Sequence, residues 1–489
     1  MDGEKSNHDK FKLFIQSASK GILYFLITLG ILFALLFFAC CIPKDKIRGN
    51  LLESATYLSL EEEDFHQLKT GDLRTVIHNY ADATTLNILY SMDREDLLWK
   101  LAMAPFYSDG MDLDKSVTEL LQERIVSERE ADTVYDRYWH GMILILKPMF
   151  LLFTLQQIRW IFMGALVGCM MVLTVLLIRR KQYLSSTLLW LGAVAVQFWM
   201  TAMCIEYFPV FLITVLISVA MVLVEERRNR IINLCIVSGV CVAFFDFLTT
   251  ETLAFVLPLV FVYGIWQSKG KIRSIKEEVW YLMKAGSSWL GAYIFTYLAK
   301  WALASAACGE ERFSVALMQF AGRQRNTVTN LDGVTVLPQF ISAVLINIRL
   351  FLGLDGKISL EKLLLLLALA GLIVALFVYL FRKPGRVGTL PVLMLLLGTI
   401  PMLRMMVLNN HSIEHCFFVY RSLYGTIVCY GAGILTVIDW EFLRRRKKHG
   451  ITRTKKQRYV VADLGADIFT GCGNAGIWCA GGGECSSGR

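Results

Sequence analysis

Apolar runs divide the chain at intervals, and every second run ends in a cluster of Lys and Arg. A run of roughly twenty apolar residues matches the hydrocarbon thickness of a bilayer as a helix, because hydrocarbon offers no partner to an open backbone N–H or C=O. The first run, Gly21–Ile42, follows a polar segment with four Lys. It is too long for the core of a secretory signal and lacks a small-residue cleavage site, so it reads as a span. Ile158–Ile178 then ends in RRK, Phe208–Val224 in EERRNR, Leu253–Trp266 in SKGK, Leu363–Phe381 in RKPGR and Phe417–Ile438 in RRRKKHG. Leu184–Cys204, Ile231–Phe247, Trp280–Ala304 and Leu390–Leu408 run the other way. Basic residues collect on the cytoplasmic side of spans, so the pattern predicts about ten transmembrane helices in the plasma membrane with both termini cytoplasmic.

With 55% hydrophobic residues, the 489-residue chain is far too apolar for a soluble domain. Its net charge of +9 sits at span ends, where it sets orientation, and so implies no nucleic acid. Of the twelve Cys, Cys40, Cys41, Cys169, Cys204, Cys235, Cys241 and Cys429 lie inside apolar runs and act as small hydrophobes, and none has zinc-ligand spacing. The expected fold class is therefore an all-α polytopic membrane protein with one large α-helical extracytoplasmic loop. Its parts are a cytoplasmic N-terminus (1–20), the first transmembrane helix (21–42), the loop domain (43–140), an interfacial or re-entrant helix (141–157), a multi-span core (158–438) and a basic tail (439–489) whose Gly-rich end cannot bury a core. Within the loop, Val117, Leu120, Leu121, Ile125 and Val126 are spaced as one face of an amphipathic helix over 111–136. Lys147 and Arg159 flank the interfacial segment as headgroup anchors.

This topology puts the unusual polar residues on one side. Asn79, Tyr80 and Asp82 lie in the loop, and Arg137 and His140 close it. Glu206 caps one outer turn; Asp246, Thr249, Thr250 and Glu251 fill another; Asn410, His411, Glu414, His415 and Arg421 cap the last pair of spans. Polar span ends are often merely wet, but Asp246 sits within an aromatic run and needs a partner or a task. His411–His415 reads H-x-x-E-H, the zinc-protease pattern, without the third ligand such a site requires, so no metal ligands are assigned. The i, i+4 His pair could still hold a divalent cation or a phosphate, and Arg421 offers the always-charged fork that suits phosphate better.

The many spans, the long loop after the first and the acidic residue in that loop resemble the GT-C superfamily of glycosyltransferases, and the segments NYADATTLNILYS, RYWHGMILILKP, FFDFLTT and NHSIEHCFFVYR look like those of a group of bacterial polytopic proteins associated with that fold. The resemblance implies a sugar transferred from a polyprenyl-phosphate-linked donor to a saccharide or protein acceptor on the outer face. It also implies a loop carboxylate as base, which would be Asp82, and a phosphate side of Arg421 with His411 or His415; the one-sided polar set adds Asp246 as the alternative base and Asn79, Tyr80, His140, Glu206, Glu251 and Asn410 as substrate-side candidates. A transporter or flippase of a lipid-linked saccharide or polar solute, and a non-catalytic envelope assembly protein, are the alternatives.

Overall fold

A computed structural model describes residues 2–61, 64–110, 115–323, 339–354 and 388–437. The expected span Leu363–Phe381 and the 439–489 tail lie outside the described residues. Those described are mostly helical. Four helices among them are long and apolar enough to cross a membrane, namely Ala18–Cys40, Leu155–Arg179, Arg228–Phe245 and Thr389–Val407, with several shorter apolar helices between them.

The first span belongs to α1 (Asp2–Cys40). The loop folds as α2 (Lys44–Leu60), the antiparallel pair β1 (Phe65–Gln67) and β2 (Val76–His78), α3 (Asn79–Ser91), α4 (Leu97–Met103), a two-residue pair β3 (Pro105–Phe106) and β4 (Thr133–Val134), and α5 (Val117–Ser127). It is thus helical with two small strand pairs. In α2 the buried Ile47, Leu51, Ala55 and Leu58 recur at helical spacing and form the stripe that faces the loop core. The amphipathic helix expected over 111–136 is the shorter α5. It starts at a capping box, in which Ser116 and Glu119 serve each other's backbone N–H, and it buries Leu120, Leu121 and Ile125 but leaves Val126 exposed.

The interfacial segment is α6 (Ile143–Met149), and its Lys147 is no headgroup anchor. The side chain is fully buried, and its ammonium donates to the carbonyl of Cys40, the last residue of α1, at 3.4 Å. A cation at the carbonyl end of a helix satisfies an orphan acceptor and opposes the helix dipole. Lys300 does the same for α4, donating to Leu101 and Ala102 carbonyls at 2.8 and 2.7 Å. Gly141, just before α6, lies so close to the Phe244 carbonyl and ring that any Cβ there would collide with them.

The core continues through α7 (Leu155–Arg179), α8 (Tyr183–Ala195), α9 (Phe208–Leu223), α10 (Arg228–Phe245), α11 (Leu253–Ser268), α12 (Ile275–Cys308), α13 (Phe313–Gly322) and α14 (Gln339–Phe351). Helix α10 packs on α1, α9 and α12, and α9 on α7 and α11. Two expected spans are broken. Leu184–Cys204 stops as a helix at Ala195, turns through Gln197 at φ 53°, and resumes as a 3₁₀ turn over Phe198–Met203. Phe417–Ile438 is interrupted by a 3₁₀ turn at Tyr420–Ser422 before the helix Leu423–Val437.

Three of the basic clusters do share one end. Glu225 pairs with Arg180 and, at 2.6 Å, with Lys269; Arg228 pairs with Glu278 at 2.8 Å and stacks over Trp266. The polar residues of the outer turns gather at the opposite ends of these helices. Exposed cysteines at the two ends should therefore react from opposite sides of the membrane. Glu95→Cys should be labelled by an impermeant maleimide on intact cells, above the parent chain's background, and Lys276→Cys only after permeabilisation; the reverse pattern would invert the orientation.

Candidate functional site

At the loop end a cavity of about 440 Å³ opens where several segments meet. These include the start of β1, the junction of β2 with α3, the stretch Tyr135–His140, the turns before α9 and α11, the end of α13 at Arg323, and the short helices Asn409–Glu414 and Cys416–Val419 with His415 between them. Tyr80, His140, Glu206, His411 and His415 of the sequence-derived set line it, together with His78, Asp64, Tyr138 and Arg323, which sequence reasoning passed over. Nothing in the alternating segment before NYAD marks His78 as special, and Arg323 stands at the edge of a long polar stretch.

The remaining candidates lie behind the wall. Asp82 is fully buried and does not face the cavity. Its carboxylate accepts from the Arg159 guanidinium at 3.0 Å and from the Ile205 backbone N–H at 2.8 Å. Arg159, expected as a headgroup anchor, is instead the counter-ion that α7 supplies to α3. Burial pushes the Asp82 carboxyl up to about 6 against the pull of Arg159, so the pair is ionised at neutral pH. With both oxygens occupied, Asp82 is a structural ion and not the expected base. Asn79 donates to Glu61 at 2.6 Å in the same layer.

Asp246 ends α10 and accepts from the backbone and hydroxyl of Thr249, at 3.1 and 2.5 Å, so it caps its own turn. Burial first, then the nearby Glu251 carboxylate, raise its pKa strongly, while both of its oxygens are committed to the Thr249 cap. Glu251 is taken by Arg404, which approaches it at 2.7 Å and also donates to Ser412 at 3.1 Å. Asn410 bonds Gly322 and Glu414, at 3.3 and 3.2 Å. Arg421, expected at the phosphate, is buried and donates to the carbonyls of Phe417 and Arg74, both at 2.8 Å. It ties the β1–β2 connection to the last helical segment and does not line this cavity.

Four imidazoles and a shell of aromatic rings give the cavity its character. His78 Nδ1 meets Glu206 Oε2 at 2.7 Å, and its ring stacks with those of Phe65 and Tyr207, at 4.9 and 6.4 Å. His140, at φ 52°, donates from Nε2 to the Tyr135 carbonyl at 2.9 Å, and His411 Nε2 donates to the Leu248 carbonyl at 2.9 Å. Burial pushes His140 down to about 3 and His415 to about 4, and lowers His411 strongly as well, so these three are neutral at physiological pH. Neutral imidazoles cannot counter a phosphate, and the fixed cation on the wall is Arg323, whose guanidinium donates to the Tyr138 hydroxyl. Among the described residues no three His, Cys, Asp or Glu side chains are grouped to hold a metal, and Glu414 of H-x-x-E-H is exposed and bonded to Asn410.

Against one wall lies a second cavity, of about 270 Å³ and almost wholly apolar. Helix α12 contributes Tyr293, Ile294, Tyr297 and Trp301, α13 contributes Leu317 and Phe320, and Tyr138 and Arg323 are common to both cavities.

Asp82→Asn tests the structural role of that carboxylate. Removing one partner of a buried pair strands the other charge, so the substitution should cost about 3–5 kcal/mol and lower the unfolding temperature in detergent. A variant of unchanged stability would return Asp82 to the list of reactive groups.

Compared with known proteins, the chain matches no family model, no curated protein and no solved structure, so the cavity's chemistry is read from its own side chains.

Proposed function

We propose that the chain is a GT-C-like integral membrane glycosyltransferase of the plasma membrane, moving a sugar from a polyprenyl-phosphate-linked donor to a saccharide or protein acceptor at the outer face. The observation that carries this reading is the pair of adjoining cavities, one polar and aromatic, one apolar, with Tyr138 and Arg323 between them. A lipid-linked sugar has the same three parts in the same order. Its prenyl tail fits the apolar groove between α12 and α13, its phosphate falls beside Arg323, and its sugar enters the cavity, where Tyr80 and Phe65 offer parallel ring faces. The guanidinium, held by the Tyr138 hydroxyl, suits a phosphate oxygen pair and a departing phosphate's charge. This assignment moves the phosphate role from Arg421 to Arg323 and leaves His411 and His415 as neutral hydrogen-bonding groups.

Farnesyl phosphate is a soluble probe for this site. It should bind the full chain in nanodiscs. Arg323→Gln, which loses a charge-assisted bond of about 1.5–3 kcal/mol, should weaken binding about ten- to hundredfold. Ile294→Trp, which fills the groove, should weaken farnesyl phosphate and leave binding of inorganic phosphate unchanged. Equal affinity in all three proteins would remove the lipid-phosphate reading. Tight binding, with movement of a labelled lipid-linked sugar across the bilayer and no transfer, would favour a flippase.

A further inference from the structure

We propose that His78, oriented by Glu206, is the proton-accepting group of the cavity, in place of a loop carboxylate; the inference rests on the transferase reading above. The two residues are far apart in sequence, His78 ending β2 and Glu206 standing just before α9, yet Nδ1 and Oε2 are 2.7 Å apart. Both side chains are over nine-tenths buried, at 7% and 9% exposure. A carboxylate accepts only, so it takes the Nδ1 hydrogen and fixes the tautomer that leaves Nε2 unprotonated. Nε2 has no hydrogen-bond partner among the described residues, and the ring lines the cavity.

The pair is held from several directions. The His78 backbone N–H donates to the Cys204 sulfur at 3.4 Å, and the Asp82 carboxylate holds the Ile205 N–H next to Glu206. Phe65 stacks on the imidazole and Phe417 meets it edge-on at 5.4 Å, so the ring is hindered from turning. Among the described residues, His78 is the one cavity histidine with a carboxylate on its ring. His140 and His411 spend their Nε2 hydrogens on carbonyls, and no ion pair reaches His415.

In the transfer step the acceptor hydroxyl gives its proton to His78 Nε2 as its oxygen bonds to the anomeric carbon. The bond from that carbon to the phosphate oxygen breaks, and its electron pair stays on the phosphate, beside Arg323. The imidazolium faces the Glu206 carboxylate until it returns the proton to water after product release. Glu206 acts through His78 and is a positioning residue.

Diethyl pyrocarbonate, which unprotonated imidazole nitrogens attack, reads the Nε2 of His78 without knowledge of the sugar or acceptor. In the full chain at neutral pH, His78 should be acylated faster than His140 and His411. Glu206→Gln should slow that reaction about tenfold, by releasing the tautomer, and Glu206→Asp should recover part of it. His66, on β1 and outside the cavity, should react alike in every variant and so reports an intact fold. With a farnesyl-phosphate-linked hexose as donor, His78→Gln should lower kcat about 10²–10⁴-fold with donor KM unmoved, and Glu206→Gln should lower kcat in the same direction. Slow acylation of His78, a rate indifferent to Glu206, or normal turnover in His78→Gln overturns the proposal. Binding of farnesyl phosphate separates the two readings. Fast, Glu206-dependent acylation without lipid binding removes the donor and keeps the proton acceptor. Lipid binding with slow acylation removes His78 and keeps the donor.

Discussion

The contact between Asp82 and Arg159 joins α3 to α7, a helix long and apolar enough to cross a membrane, and the placing of the cavity depends on it. Two charges removed from water are expensive, and a pair in low dielectric repays the cost only when the remaining lone pairs also find donors. Here they do: one carboxylate oxygen takes the guanidinium and the other takes the Ile205 N–H. That second bond brings the turn before α9 under α3 and places Glu206 next to His78. A residue with no access to the cavity thus sets the geometry of two that have it.

Other buried cations follow the same logic with a different acceptor. Lys147, Lys300 and Arg421 donate to backbone carbonyls, and Arg404 to both a carboxylate and a carbonyl. Each carbonyl lies at a helix end or in a connection, where an acceptor would otherwise be orphaned. Such bonds satisfy polar groups inside the protein and not by lipid, and one of them starts from Arg421 in the irregular Tyr420–Ser422 turn itself. Arg323 differs from these four in that it lines both cavities.

Hydropathy and the basic clusters made the helical class and the gathering of polar residues at one end legible, because both follow from the bilayer's thickness and from charge placement. Tyr80, Glu206, His140, His411 and His415 reach the cavity for that reason. What the sequence hid was pairing. Whether a carboxylate is reactive or consumed depends on a partner 77 residues away for Asp82 and 153 for Glu251, and no local pattern encodes such distances. The breaks in two expected spans were hidden as well, since Gln197 at positive φ leaves no trace in an apolar count. His78 was overlooked because a lone His before a helix is unremarkable until Glu206 is seen against it.

The bond from Arg421 to the Arg74 carbonyl spans 347 residues, and it has a consequence for how the molecule comes into being. A ribosome delivers the chain from its N-terminus, and early segments fold as they emerge. The loop that carries His78 and Tyr80 is therefore made long before the segment that carries His411, His415 and Arg421. Until that last segment inserts, the wall of the cavity that His411, His415 and Phe418 supply does not exist. A chain cut short just before Asn409 would keep its loop and most of its helices yet lack the wall that His411, His415 and Phe418 supply, so the chamber closes only late in synthesis.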